Sequence, residues 1–505
     1  MTRTALEIQS GFALDDTVYA GEGYWRDGSL IRFWRGKPQT VGGWQKFTDS
    51  AMTGICRGLL SWTDNSAVLN IGMGTHTNLY VYTGGGLYDI TPAGLAAGSI
   101  DGSVGSGFGS GTFGSSTWGG GTASEYWPRT WALDNFGQTL MANPRNGTIY
   151  QWSNAVGSPA VALTNAPTNC TTMLVSNTRQ VMAFGCTNVS SVYNPMAIRG
   201  SDANAPTSWT PAVGSLAFEV TLSGGGRIVA ARRVGNYIVV WTDNSVYLGT
   251  YVGSATQIWR FDKVGEHCGL VGAQAVCVRN QTCFWVGTDL QFRSYTIGGA
   301  VQIMVSTVQA QFASNLAANQ QDKIVASTLT AFDEVWFFYP DSRDGTENSR
   351  YVAFSAADPS IPWFKGQLVR TSFADQGPAQ YPIGVDAGGL GYYHELGQSA
   401  DGGRLPWYIE SAGQYIGDGD QRMLVKGIWP DFQNQVGNVS LTVYTRGYPQ
   451  DTERTKGPFT LTASLSKKDF MADGRVIRFR MEGNSAPSFV RFGKIAVDAV
   501  PTGMQ

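Results

Sequence analysis

Apolar residues along this chain come in short runs separated by tight polar turns, the pattern of many short strands and few helices. From about residue 54 the pattern becomes a loose repeat. Each unit is an apolar strand, a polar turn and a second apolar or aromatic strand. Trp62-Thr63-Asp64-Asn65-Ser66 recurs letter for letter as Trp241-Thr242-Asp243-Asn244-Ser245. Asp-Asn tolerates the left-handed backbone of a two-residue hairpin. Weaker versions follow at Leu133-Asp134-Asn135, Val175-Ser176-Asn177, Val278-Arg279-Asn280, Phe332-Asp333-Glu334 and Ile383-Gly384-Val385-Asp386. Their spacing, roughly 40 to 70 residues, is that of propeller blades with insertions. The pattern predicts an all-β chain with a β-propeller of six or seven blade-like units over residues 54–404. A β-sandwich array with periodic-looking hairpins is the alternative.

Two flanking regions read differently. Residues 1–53 hold a dense Trp, Phe and Arg cluster, from Tyr24 through Arg32, Trp34 and Arg35 to Trp44. This segment is expected to be a strand and anchor, with a hairpin turn at Asp27-Gly28. Residues 405–505 alternate with period two, as in Val439, Leu441, Val443 and Thr445 and again from Val476 to Glu482. Such alternation gives strands with one wet face, and predicts an antiparallel, β-sandwich-like C-terminal domain. Ser306 to Ser327, with Val308, Phe312, Leu316 and Ile324, is the best candidate for a short helix.

A glycine-rich insertion over 98–122 carries a five-residue repeat led by Phe108, Phe113 and Trp118. The even aromatic spacing suggests rings that wedge into a neighbouring subunit. A flexible insertion between blades is the other reading.

Composition narrows the function classes. The 505 residues are 42% hydrophobic and 15% charged, with 64 glycines, 16 Trp, 21 Tyr and 24 Phe. These values fit a folded chain with surfaces to bury against partners. A net charge of −2 argues against affinity built on phosphate neutralisation. It allows a passage through which DNA slides without sticking. The six cysteines form no C-x-x-C pair, so buried free thiols are expected. The sequence has no apolar leader at its start and no run long enough for a membrane span.

Candidate chemistry is sparse. The three histidines, His76, His267 and His394, fall into no metal-ligand spacing. Glu266-His267-Cys268 sits on a strand pattern whose neighbours point to opposite faces. Gly109 to Gly114 matches G-x-G-x-x-G but lies in the glycine tract. Asp418-Gly419-Asp420 lacks the further ligands of a calcium loop. Asp341, Asp344, Glu347, Asp386 and Glu395 lie near expected blade edges, where a glycosidase would place a pair of acids, yet no pair stands out. The expectation is no catalytic, metal or cofactor residue. Trp25, Arg32, Trp34, Arg35, Phe108, Phe113 and Trp118 are the candidate assembly contacts, because Trp and Arg dominate interface hot spots.

Taken in order, several of these features resemble the tail hub or nozzle proteins of short-tailed bacteriophages. They are Arg32-Phe-Trp-Arg-Gly-Lys-Pro38 closing at Gly42-Gly43-Trp44, the glycine-aromatic repeat, and Ser201-Asp202 before Pro206-Thr-Ser-Trp209. Trp241-Thr-Asp243 with Tyr251-Val-Gly253, Gly265 to Gly272, and Arg491-Phe-Gly493-Lys-Ile complete the set. The likeness runs from about residue 20 to 500. It implies a structural virion protein made in the host cytoplasm. Six copies would form a ring below the portal and its adaptor, next to tail fibre or tailspike proteins. That ring would continue the channel, retain packaged genomic DNA and allow its ejection. A carbohydrate-binding tail adhesin and a propeller glycosidase are the alternatives.

Overall fold

The computed structural model describes residues 2–13, 21–102, 127–254, 256–357, 363–415, 421–448 and 450–503. The chain is nearly all β. Among the described residues the strands form ten sheets, and seven of these follow one another along the chain as four-stranded antiparallel units. Their first strands are Cys56–Thr63, Trp131–Phe136, Thr172–Val175, Ile228–Val234, Val276–Arg279, Val325–Leu329 and Ser372–Ala374. The seventh sheet takes its last strand from far upstream: Trp44–Lys46 pairs with Gly391–His394.

Hydrogen bonds step from each of these sheets to the next. Trp131 Nε1 donates to Thr75 O (2.7 Å), and Val175 N donates to Asp134 Oδ2 (2.8 Å). Trp259 Nε1 donates to Gln180 Oε1 (3.0 Å) and Arg232 Nη2 to Ala273 O (2.8 Å). Ala326 N donates to Gln274 O (2.8 Å) and Thr328 Oγ1 to Asp375 Oδ2 (2.8 Å). Ser372 Oγ returns to Cys56 O (3.4 Å), from the seventh sheet to the first. Buried aromatic and aliphatic side chains fill the gaps between neighbouring sheets, as where Trp241 meets Trp285 edge-on at 5.9 Å.

The turns explain the repeat, with one surprise. Val175-Ser-Asn, Val278-Arg-Asn and Phe332-Asp-Glu lie at the link between the first and second strands of their sheets, whereas Leu133-Asp-Asn lies within the first strand of its own. The two identical pentapeptides do not occupy equivalent places. Trp62 lies on a first strand, and Trp241 lies on a second strand. Their turns differ as well. Asp64 Oδ1 accepts from Ser66 N (2.8 Å) and Val68 N (2.9 Å) in a longer loop, with Ala67 left-handed at φ 62. Asp243 and Asn244 close a two-residue link without positive φ, shaped by the Thr242 hydroxyl that accepts Ser245 N (2.8 Å). The equivalent first hairpin of the fourth sheet is Gly235-Asn236, with Gly235 at φ 59. Asp134 itself lies inside the strand Trp131–Phe136 and not in a turn.

The remaining three sheets draw on both ends of the chain. Thr2–Leu6 pairs with Ile495–Gly503, which continues to Arg422–Trp429 and Lys468–Gly474. Tyr24–Ser29 pairs with Tyr408–Ser411, and Lys37–Thr40 with Phe489–Phe492. The N-terminal strands are thus woven into the C-terminal sheets, because their backbone groups need partners. Asp27 and Gly28 lie inside the strand Tyr24–Ser29, so no hairpin turn forms there. The chain reverses at Leu30, at φ 55. Gly28 is required for a close approach: a Cβ would come within 2.5 Å of the Phe12 ring and 3.1 Å of Tyr408 O.

The period-two reading holds along the C-terminal strands. Val439, Leu441, Val443 and Thr445 point inward, as do Ile477, Phe479 and Met481. On the opposite face Arg478 and Arg480 pair with Glu410 and lie 4.0 Å above the rings of Tyr444 and Tyr408. The helix is shorter than Ser306–Ser327: only Gln309–Asn315 is α-helical, with Phe312 buried. The sixth sheet captures the chain beyond it, through Ala317 N to Pro340 O (2.9 Å), and a strand begins at Val325.

Candidate functional site

The first strands of all seven consecutive sheets line one central cavity of about 370 Å3. Residues of apolar type line it, from Leu59 and Trp131 to Val276 and Phe373, but polar atoms make up most of its surface. Three charged residues line it. Asp134 acts as a staple: its carboxylate accepts from Val175 N, Asn135 N (2.9 Å) and Arg233 Nη2 (2.9 Å). Burial pushes its pKa up, against the Arg233 charge and the two amides. Arg232 donates to two carbonyls, Ala231 O (3.0 Å) and Ala273 O (2.8 Å).

A strongly charged cluster gathers around Arg57, near the start of the first strand Cys56–Thr63. Lys323 is buried and donates to Asp101 Oδ1 (2.6 Å), Glu347 Oε1 (2.7 Å) and Thr346 O (2.8 Å). Arg57, also buried, reaches the same Glu347 oxygen at 2.6 Å. Burial opposes ionisation of Asp101, but the Lys323 bond and charge prevail and hold its carboxyl below the usual range. His76 accepts Ile55 N at Nδ1 (2.9 Å), and burial and the Arg57 charge lower its pKa. Alongside lies a 480 Å3 hollow in which Arg145 pairs with Asp322 at 2.8 Å. The Arg145 and Arg227 guanidiniums stand 4.8 and 4.6 Å from the Trp127 ring. Gly102 and Trp127, the described residues that flank the glycine-rich segment, both line this hollow, and Gly102 N donates to Gln320 Oε1 (3.3 Å).

A second charged cluster sits between the seven-sheet body and the strands from both chain ends. Arg32, fully buried, contacts Glu334 Oε1 at 3.2 Å through Nε. It also forks onto Glu395 through Nη1 (3.0 Å) and Nη2 (2.6 Å). Glu395 further accepts Gly42 N (2.9 Å), and Trp336 Nε1 donates to Glu334 (2.9 Å). Burial, against the pull of Arg32, pushes Glu334 up to about 7.

This geometry revises the assembly contacts expected from the sequence. Trp25 is 2% exposed and packs at 6.2 Å from Phe492, and Arg32 is 0% exposed. Both are core residues, because each strand turns that side chain inward, and neither is presented to a partner. Trp34 is half-buried, edge-on to Phe332 at 5.3 Å, and Arg35 is exposed with its guanidinium 5.4 Å from Trp34. Phe108, Phe113 and Trp118 lie outside the described residues, as do Asp418, Gly419 and Asp420.

The acids weighed as a pair are each committed elsewhere. Asp341 binds Arg343 (2.6 Å), Asp344 binds Arg350 (2.6 Å), and Asp386 accepts Leu390 N (2.9 Å) and Tyr392 OH (3.1 Å). Glu347 and Glu395 hold Arg57 and Arg32. Among the described residues no three His, Cys, Asp or Glu side chains could hold a metal ion. All six cysteines are buried and unpaired, and no described helix is long and apolar enough to cross a membrane.

The cavity residues Asp134, Arg232 and Arg233 escaped the sequence reading. Adjacent arginines inside the apolar run from Ile228 to Val234 were the available signal.

No protein-family model matches this chain, and no curated protein matches it. Three solved structures are similar at low identity. Virginiamycin B lyase from Staphylococcus aureus aligns with TM-score 0.43 and 8% identity, covering 68% of this chain and 96% of its own. A streptogramin B lyase aligns with TM-score 0.38 and 9% identity, covering 70% and 97%. The computationally designed Ika8 protein aligns with TM-score 0.38 and 13% identity, covering 69% and 99%.

Proposed function

We propose that this chain is a ring-forming structural subunit of a short-tailed bacteriophage tail, built on a seven-bladed β-propeller fused to a β domain. One observation carries the reading. The stretch from Arg32 to Trp44, one of the segments that resemble tail nozzle proteins, is the seam of the molecule. Arg32 is buried between Glu334 and Glu395, Lys37–Thr40 pairs within the β domain, and Trp44–Lys46 completes the seventh blade. Leu30, Ile31 and Phe33 join one apolar core with Trp336, Phe364, Leu441 and Phe479 from both bodies. A part that bears the pressure of packaged DNA needs such a stiff joint, and packed interiors transmit strain instead of yielding to it.

In this reading the DNA path runs between subunits. The cavity inside each chain has room for roughly a dozen waters, so no duplex threads it. The work assigned to the chain is structural, with a homohexamer as the working state and the portal, adaptor and tail fibres or tailspikes as neighbours. A head-to-tail contact that closes on itself generates such a ring. The test is cryo-electron microscopy of particles carrying a tagged copy of this chain. Density for the tag in a ring below the portal supports the reading. Tag density confined to fibre tips points to the adhesin alternative and contradicts it. Turnover of a polysaccharide by the purified chain would point to the glycosidase.

A further inference from the structure

The central cavity has an unbalanced charge. Of the three charged side chains that line it, Asp134 and Arg233 pair with each other. Arg232 has no carboxylate partner. Two of its five N–H groups are used, on Ala231 O and Ala273 O, and the other three find no acceptor among the described residues. Burial lowers its pKa, with Cys277, Asp134 and Cys283 acting in the opposite sense. Arg232 is half-buried, and a partly desolvated guanidinium without a counter-charge favours an anion beside it. Its planar fork matches an oxyanion better than any other small ligand. The Ala273 bond also spans the fourth and fifth sheets, so an anion at Arg232 would sit where two blades meet. At about 370 Å3 the cavity has room for one small oxyanion and several waters.

From this arrangement we infer that the central cavity is a binding site for a small oxyanion, a phosphate or a carboxylate, held by Arg232. The anion neutralises the guanidinium and ties neighbouring blades together from within. It is independent of the tail assignment.

Thermal unfolding of the full chain tests this, with inorganic phosphate or succinate titrated at ionic strength held constant with sodium chloride. The wild type should show a saturating rise in Tm with at least one of the two, which identifies the ligand chemistry. Arg232→Met should weaken the apparent affinity by about tenfold or more, as loss of a charge-assisted contact implies. Equal rises in both proteins would reveal a general salt effect, and no rise in the wild type with either anion would be as damaging. Should the variant fail to fold, a selenate soak of wild-type crystals decides instead. An anomalous peak within hydrogen-bonding distance of Arg232 supports the site, and a cavity without one overturns it.

Discussion

Replacing Glu334 by Gln tests the account of the seam. One guanidinium there faces two carboxylates, with side-chain exposures of 0% for Arg32, 2% for Glu334 and 16% for Glu395. Tyr351 packs on the same cluster and donates its hydroxyl to no carboxylate; its OH accepts Leu30 N (3.2 Å). Burial, helped by the neighbouring Glu395 charge and opposed by Arg32, raises Glu334 from 4.5 to about 7. The folded state therefore binds the Glu334 proton more tightly than the unfolded chain does. Its stabilising effect is fully present below pH 4.5 and is lost as the pH rises through about 7. The gap corresponds to about 3 kcal/mol across the window. Urea unfolding should be followed at pH 5 and pH 8.5, with Trp fluorescence as the probe. The wild type should lose about 3 kcal/mol more than Glu334→Gln over that range, because Gln mimics the protonated acid and does not titrate. At pH 8.5 the variant should match or exceed the wild type. Parallel pH profiles for the two proteins would refute the reasoning. So would a large loss in Glu334→Gln at pH 8.5, which would mean that the ionised pair itself holds the seam.

Other outcomes follow from the same structure. Arg32→Met strands the buried Glu334 and the half-buried Glu395 and should cost about 3–5 kcal/mol at pH 8 in denaturant titration, whereas Arg35→Met, at the surface, should change stability by less than about 0.5 kcal/mol. Trp34→Ala should leave circular dichroism largely unchanged yet reduce incorporation into particles; normal incorporation would remove Trp34 from the assembly contacts. Burial raises the Cys56 thiol to about 11 and Cys283 to about 12, so neither should react with a thiol reagent at pH 8 until the protein is unfolded. Trp241→Ala, which empties a fully buried site between two blades, should lower stability by about 3–5 kcal/mol in the same titration.

Much of the fold was legible because turn chemistry and period-two alternation are local. Asn280 and Asp333 do take the left-handed backbone at the links where their residue types suggested turns. Local signals could not fix phase: one identical pentapeptide ends a first strand at Thr63 and a second strand at Thr242. Nor could they show which distant strands pair. The union of Tyr24–Ser29 with Tyr408–Ser411 spans nearly the whole chain, and no feature of either segment names the other. For the same reason Arg32 and Trp25 read as surface anchors. An Arg beside aromatic residues looks like an interface hot spot until the two carboxylates that bury it, Glu334 and Glu395, are brought to it by the fold. The central cavity was hidden more deeply still, since its charged residues come from the second and fourth sheets.

The most direct test of the central claim is the number of copies of this chain per purified phage particle, counted by quantitative mass spectrometry against the portal subunit. A six-fold ring beneath a twelve-fold portal predicts about half the portal's copy number. Absence of the chain from particles would contradict the account and leave an all-β protein whose function lies outside the virion.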